Sequence, residues 1–109
     1  MNMSKMFDGC NYLSSLDLSN FRTDNVIDLS FMFQYCTSLT NLNIIHFNTS
    51  NVIDMSHIFQ FCLQLESLSI NFITTKVMDM SNMFEECSSL KKENVKIKNN
   101  GIKIIEQLK

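Results

Sequence analysis

The sequence predicts an α/β repeat fold, with parallel strands along one side and short helices along another. Three observations point to it. Cysteine recurs at Cys10, Cys36, Cys62 and Cys87, in steps of 26, 26 and 25 residues. Phenylalanine keeps those steps at Phe7, Phe33, Phe59 and Phe84, and serine keeps them at Ser4, Ser30, Ser56 and Ser81. Within each step the apolar period changes from that of a helix to that of a strand. A fixed period in this range marks stacked units, each covering an apolar face that its neighbour cannot bury alone.

The first pass runs from Met3 to Asp28, and its strand is expected at Leu16 and Leu18. The second begins at Leu29. Met32, Phe33, Cys36 and Leu39 fall at i, i+1, i+4 and i+7, one face of a short helix. Ser30 is placed to cap the N-terminus of that helix by accepting from a free backbone N–H. Leu42 and Ile44 then alternate with Asn43, as in a strand with one buried face. Phe47 and Val52 bracket a polar turn from Asn48 to Asn51, and a short extended piece around Asp54 leads onward. The third pass repeats this from Met55 to Asp79, with its strand at Leu68 and Ile70. The fourth starts at Met80 and loses the pattern after Leu90.

Residues 1–98 are therefore expected to form a four-pass array whose first and last passes are incomplete. Residues 99–109 are expected to form a C-terminal cap or tail. There Ile102, Ile105 and Leu108 fall on one side of a helix, and a hairpin through Asn100-Gly101 is the alternative. The chain opens at Met3-Ser4-Lys5-Met6-Phe7, already inside a repeat, which suggests a piece of a longer protein.

Composition narrows the classes. The 109 residues suffice for one domain with a modest core. There is no proline and there are two glycines, so turns fall to Asn, Ser, Thr and Asp. The net charge of −2 divides into −6 over residues 1–90 and +4 over residues 91–109. An acidic repeat surface argues against nucleic acid as a partner. No apolar run approaches the roughly 18 residues of a membrane span, so no membrane insertion by this segment is expected. The start of the chain lacks the features of a secretory signal.

The third pass carries Val52, Met55, Ser56, Phe59, Cys62, Leu65, Leu68, Ile70, Phe72 and Thr74, with Ile58 in place of a methionine. This pattern, Val-x-x-Met-Ser-x-Met-Phe-x-x-Cys-x-x-Leu-x-x-Leu-x-Leu-x-x-Phe-x-Thr, resembles the BspA-like leucine-rich repeats, a 26-residue repeat of surface proteins. The resemblance covers about residues 3–90. It implies a short right-handed leucine-rich-repeat solenoid, a place at the cell surface or outside the cell, and roles in adhesion and protein binding. It supplies no catalytic residues.

Candidate sites follow from the columns that stacking creates. The cysteines, beside Phe and Leu on the apolar face, read as a reduced, buried column. Spacings of 25 and 26 lack the close ligand pairs that zinc requires. Asp28, Asp54 and Asp79 form a second column, to be offset by helix N-termini and by the hydroxyls of Thr23, Thr49 and Thr74, or by a calcium ion. His46 and His57 occupy different repeat positions, and no nucleophile motif accompanies them. Phe31 and Tyr35 flank the apolar stripe, and His57 and Phe61 take the same two positions one pass later. Lys5 and Gly9 stand there in the first pass, Asn82 and Glu86 in the fourth. Clustered aromatics off the core mark Phe31, Tyr35, His57 and Phe61 as the candidate partner-binding residues. Packing between neighbouring helices is the competing explanation. The polar strand column Asp17, Asn43 and Ser69 is the alternative site.

The expected function is that of a non-catalytic protein-interaction module, part of a surface or adhesion protein, with no cofactor. The alternative is a purely structural repeat segment that spaces or caps other domains. The partner is a protein, and self-association through the uncapped N-terminal end is expected.

Overall fold

Three short parallel strands organise the chain in the computed structural model, which describes residues 1–97, 104, 106 and 107. They are β1 (Asn41–Ile44), β2 (Ser67–Ile70) and β3 (Val95–Ile97), in the order β1-β2-β3. Leu42 pairs with Leu68 and Ile44 with Ile70, so the register repeats the sequence period. Leu68 and Ile70 pair in turn with Val95 and Ile97. The alternation is that of a half-buried strand: Leu42 and Ile44 are buried while Asn41 and Asn43 face outward.

A second line of contact runs through the aspartates. Single parallel bridges join Asn2 to Asp28, Asp28 to Asp54, and Asp54 to Asp79. The passes therefore lie side by side in register at two places around the body. Between these two lines the core fills with one residue of each type per pass.

The expected short helices do not form. Residues 30–35, 56–61 and 81–86 are runs of turns instead. The reason lies in the backbone donors. In the second pass the N–H groups of Phe31, Phe33 and Tyr35 donate across to the carbonyls of Ser56, Ile58 and Gln60 at 3.0, 2.9 and 2.9 Å. Those of Met32, Gln34 and Cys36 donate three residues back, to Leu29, Phe31 and Phe33. Alternate donors thus leave the segment, and a helix would need all of them directed along its own axis. The turns also require left-handed backbone: φ is +60° at both Phe31 and Tyr35, +58° at His57 and +61° at Phe61. Phe31, Tyr35 and Phe61 take the third position of the turns that Met32, Cys36 and Cys62 close, where positive φ is the rule for type II. A helical apolar stripe and this turn run both send Met32, Phe33 and Cys36 inward, so side-chain spacing does not separate them.

Three further expectations change with that. The whole is a compact body of 29 × 26 × 22 Å, not a helix-bearing solenoid. Leu16 and Leu18 do not form a strand, although Leu18 is buried. The pattern does not end at Leu90: a three-residue 3₁₀ turn, Lys92–Asn94, leads into β3. Lys96 alternates there with Val95 and Ile97, a strand signal shortened to three residues. The calls on Ile102, Ile105, Leu108 and Asn100-Gly101 lie outside the described residues. Ile104, beside them, is fully buried in the core.

The core is a set of columns. Phe7, Phe33, Phe59 and Phe84 stack face to face, with successive centroids 5.7, 5.7 and 5.5 Å apart and planes within 12°. Phe72 joins at 6.3 Å from Phe59. Leu29 with Met55, Leu39 with Leu65, and Phe47 with Phe72 are further buried pairs at one position per pass. Each buried aromatic or branched side chain contributes roughly 1.5–3 kcal/mol by leaving water.

Candidate functional site

The structure brings Phe31, Tyr35, His57 and Phe61 together on the turn runs as two stacked pairs. Phe31 and His57 lie 4.4 Å apart with planes 6° apart. Tyr35 and Phe61 lie 4.7 Å apart with planes 2° apart. Their left-handed backbone aims them away from the core. Tyr35 is 45% exposed, and the other three are partly exposed. The packing and surface explanations both hold in part, because each ring covers one neighbour and keeps an edge in solvent. The packing is between turns, not helices.

The two columns end differently. The Lys5 ammonium sits 5.6 Å from the Phe31 centroid, a cation over a ring face. The Asn82 side-chain amide meets His57 Nε2 at 3.1 Å, and His57 Nδ1 is buried without a hydrogen-bond partner among the described residues. In the other column, Glu86 stands in register after Phe61 and Gly9 stands before Tyr35, both at positive φ. Flanking both runs is a polar row that the sequence reading did not single out. The Gln34 amide donates to Gln60, and the Gln60 amide donates to Glu85. Its signal was present in the recurrence of Gln34 and Gln60 at the repeat step.

The other columns are occupied by structural work. Asp28 Oδ1 accepts from the Ser30 N–H at 2.8 Å and from its hydroxyl at 2.6 Å, and Asp79 does the same with Ser81 at 2.9 and 2.7 Å. Asp54 accepts from the Ser56 N–H at 2.8 Å. The capping thus runs opposite to expectation: the serine donates and the aspartate accepts, closing an Asx turn. The backbone and hydroxyl of Ser81 hold the Asp79 carboxyl below the usual range. Among the described residues, no group of three His, Cys, Asp or Glu side chains gathers around a common point.

Thr23 and Thr49 do not serve the aspartates. The Thr49 hydroxyl accepts from the Ile73 N–H at 2.7 Å and donates to the Ile73 carbonyl at 3.1 Å. Thr23 does the same with Asn48 at 2.8 and 3.2 Å. Both are buried, so each hydroxyl stands in for a backbone group and ties one pass to the next. Thr74 has no such partner among the described residues.

All four cysteines are free thiols. Cys36 and Cys62 are buried, and Cys10 and Cys87 are half-buried. Each of the last three donates to a carbonyl of the preceding pass: Cys36 to Phe7, Cys62 to Phe33 and Cys87 to Phe59, at 3.2, 3.1 and 3.0 Å. Burial pushes the Cys36 thiol up to about 12. The neighbouring Cys87 thiol, and then burial, hold Cys62 well above the ordinary thiol range. Such thiols are poor nucleophiles. His46 Nε2 meets the Leu18 carbonyl at 2.7 Å, away from the aromatic pairs' partners. In the alternative polar column, Asp17 and Asn43 are engaged by the N–H groups of Ser19 and Ile45 at 3.0 and 3.1 Å. Ser19 holds the Asp17 carboxyl below its usual range.

The family model described as "Mycoplasma protein of unknown function, DUF285" matches residues 1–108. The chain belongs to the DUF285 family. That match spans all four passes of this DUF285 chain and runs beyond β3, so the repeats and the segment after them are one family unit. No curated protein and no solved structure matches the chain. No helix among the described residues is long and apolar enough to cross a membrane.

Proposed function

We propose that this chain is a non-catalytic protein-interaction module carried by a surface or adhesion protein, and that it binds through Phe31, Tyr35, His57 and Phe61. The observation that supports the reading is the posture of these rings. Four aromatics hold left-handed backbone, which costs roughly 1–2 kcal/mol per residue, and they keep edges in solvent. Aromatic side chains bring a large contact area with few rotatable bonds, which suits them to partner recognition. The test is binding to a panel of purified surface and matrix proteins. The wild-type chain should bind at least one, and the Tyr35→Ser, Phe61→Ser double variant should bind it at least about tenfold more weakly while melting cooperatively, as expected for lost interface aromatics. Unchanged binding by the folded double variant would move the site to the column of Asp17, Asn43 and Ser69.

The pass-to-pass hydrogen bonding supports a second reading, a structural segment that spaces or caps other domains. Failure of the wild-type chain to bind any member of the panel would favour it.

A further inference from the structure

The aromatic columns have four ends, and three carry a side chain. Lys5 covers Phe31, Asn82 holds His57, and Glu86 follows Phe61 in register. The fourth end is Gly9, before Tyr35. Gly9 keeps the column's backbone: its φ is +77°, and its N–H donates to the Gln34 carbonyl at 2.8 Å, as the Tyr35 N–H does to Gln60. It supplies the rung without the ring. A Cβ placed on Gly9 would meet no atom within 4 Å other than those of its chain neighbours. The place where the stack would add its next ring is therefore open at Gly9, and Tyr35 is the most exposed of the four.

We propose that this gap is a binding slot for one aromatic side chain of a protein partner, which stacks on Tyr35 and completes the column. The proposal rests on the reading of the patch as an interaction surface and names its anchor. A flat ring is the fitting occupant because the existing step is a near-parallel stack at 4.7 Å and 2°. Ring pairs in such geometry gain beyond their buried area. The turn run that holds the gap carries Asp8 and belongs to a repeat surface of net charge −6 over residues 1–90, which disfavours a phosphate chain, so the ring comes from a protein and not from a nucleic acid. An anchor residue seated in a gap on a partner surface is the usual form of a binding hot spot.

The probe is N-acetyltryptophanamide, titrated into the whole chain and followed by NMR, with N-acetylcyclohexylalaninamide as the non-aromatic control. Saturable ring-current shifts centred on the Tyr35 ring and the Gly9 amide are expected, with the cyclohexyl compound binding several-fold more weakly. Gly9→Phe supplies the missing ring in place and should weaken the probe about tenfold, the scale of one aromatic pair. If Gly9→Phe does not fold, Tyr35→Ser removes the platform and should abolish the localised shifts. Shifts centred on Tyr12, which is 97% exposed, equal binding of the cyclohexyl control, or undiminished binding by either folded variant would overturn the slot. The two readings separate cleanly. Protein binding lost in the Tyr35→Ser, Phe61→Ser variant without probe binding would keep the interaction surface and remove the slot. Localised probe binding without any protein partner on the panel would support the slot and count against that panel reading.

Discussion

At the scale of single residues, the buried hydroxyls decide more than their size suggests. Thr49 is fully buried and satisfies both the N–H and the carbonyl of Ile73. Thr49→Val keeps the shape and removes the partner of the part-buried N–H and carbonyl of Ile73, which should cost about 1 kcal/mol for each hydrogen bond lost. Thr49→Ser should retain most of the stability. Urea denaturation of the two variants checks the difference, and equal midpoints would mean that the hydroxyl does not carry the contact. The thiols make a second test. Burial raises Cys36 from an ordinary 9.0 to about 12 in the folded chain. A thiol that ionises more easily when unfolded stabilises the fold fully below its unfolded value. That contribution should decline as pH rises from about 9 towards about 12. A thiol reagent at pH 8 should accordingly label Cys10 and Cys87 before Cys36 and Cys62. The carboxyl of Asp79 runs the other way, lowered by Ser81. Its contribution is present above the unfolded value of 3.8 and is lost as pH falls through the lower folded value. Ser81→Ala should raise the Asp79 titration seen by NMR.

At the scale of elements, the turn run sets a balance between strain and stacking. Glu86 holds a φ of +60° on an exposed turn. Glu86→Gly relieves the left-handed strain and should stabilise by up to about 1 kcal/mol after the entropy of the freer unfolded chain is counted. Tyr35→Gly relieves the same strain but loses the stack on Phe61, so it should gain less or lose. Thermal melts of both variants measure the contrast, and equal gains would show that the ring pair adds nothing. In the core column, Phe59 lies against Phe33, Phe72 and Phe84. Phe59→Ala should cost about 3–5 kcal/mol, a large part of the roughly 5–15 kcal/mol that holds a domain folded.

At the scale of the whole molecule, stability depends on how many neighbours a pass has. Lys5 and Phe7 donate to the second pass with the same pattern by which Phe31 and Phe33 donate to the third. The first pass, however, has no strand paired with β1, and most of residues 11–17 are exposed. Hydrogen exchange should therefore be faster at Lys5 and Phe7 than at Phe31 and Phe33, although the bonds match in kind and length. Equal protection would mean that the passes open together as one cooperative unit.

Periodicity in the sequence was enough to place the passes, the buried residues and the column partners. Phe7, Phe33, Phe59 and Phe84 stack because they share a position, and Leu42 meets Leu68 for the same reason. The four rings of the candidate site were legible on the same ground, as residues one repeat apart. The backbone between them was not. A stripe of apolar side chains records which residues face inward, and it is silent on where the backbone donors go. Only the stacked structure sends alternate N–H groups of the turn runs to the next pass, and that turns the expected helices into left-handed turns. It is also what bends residues 92–97 into a closing turn and a third strand, where a three-residue alternation is too short to be read alone. The sequence by itself thus determined which residues meet across the passes. The tertiary structure decided the conformation that joins them, because hydrogen bonds between passes exist only once the neighbouring pass is in place.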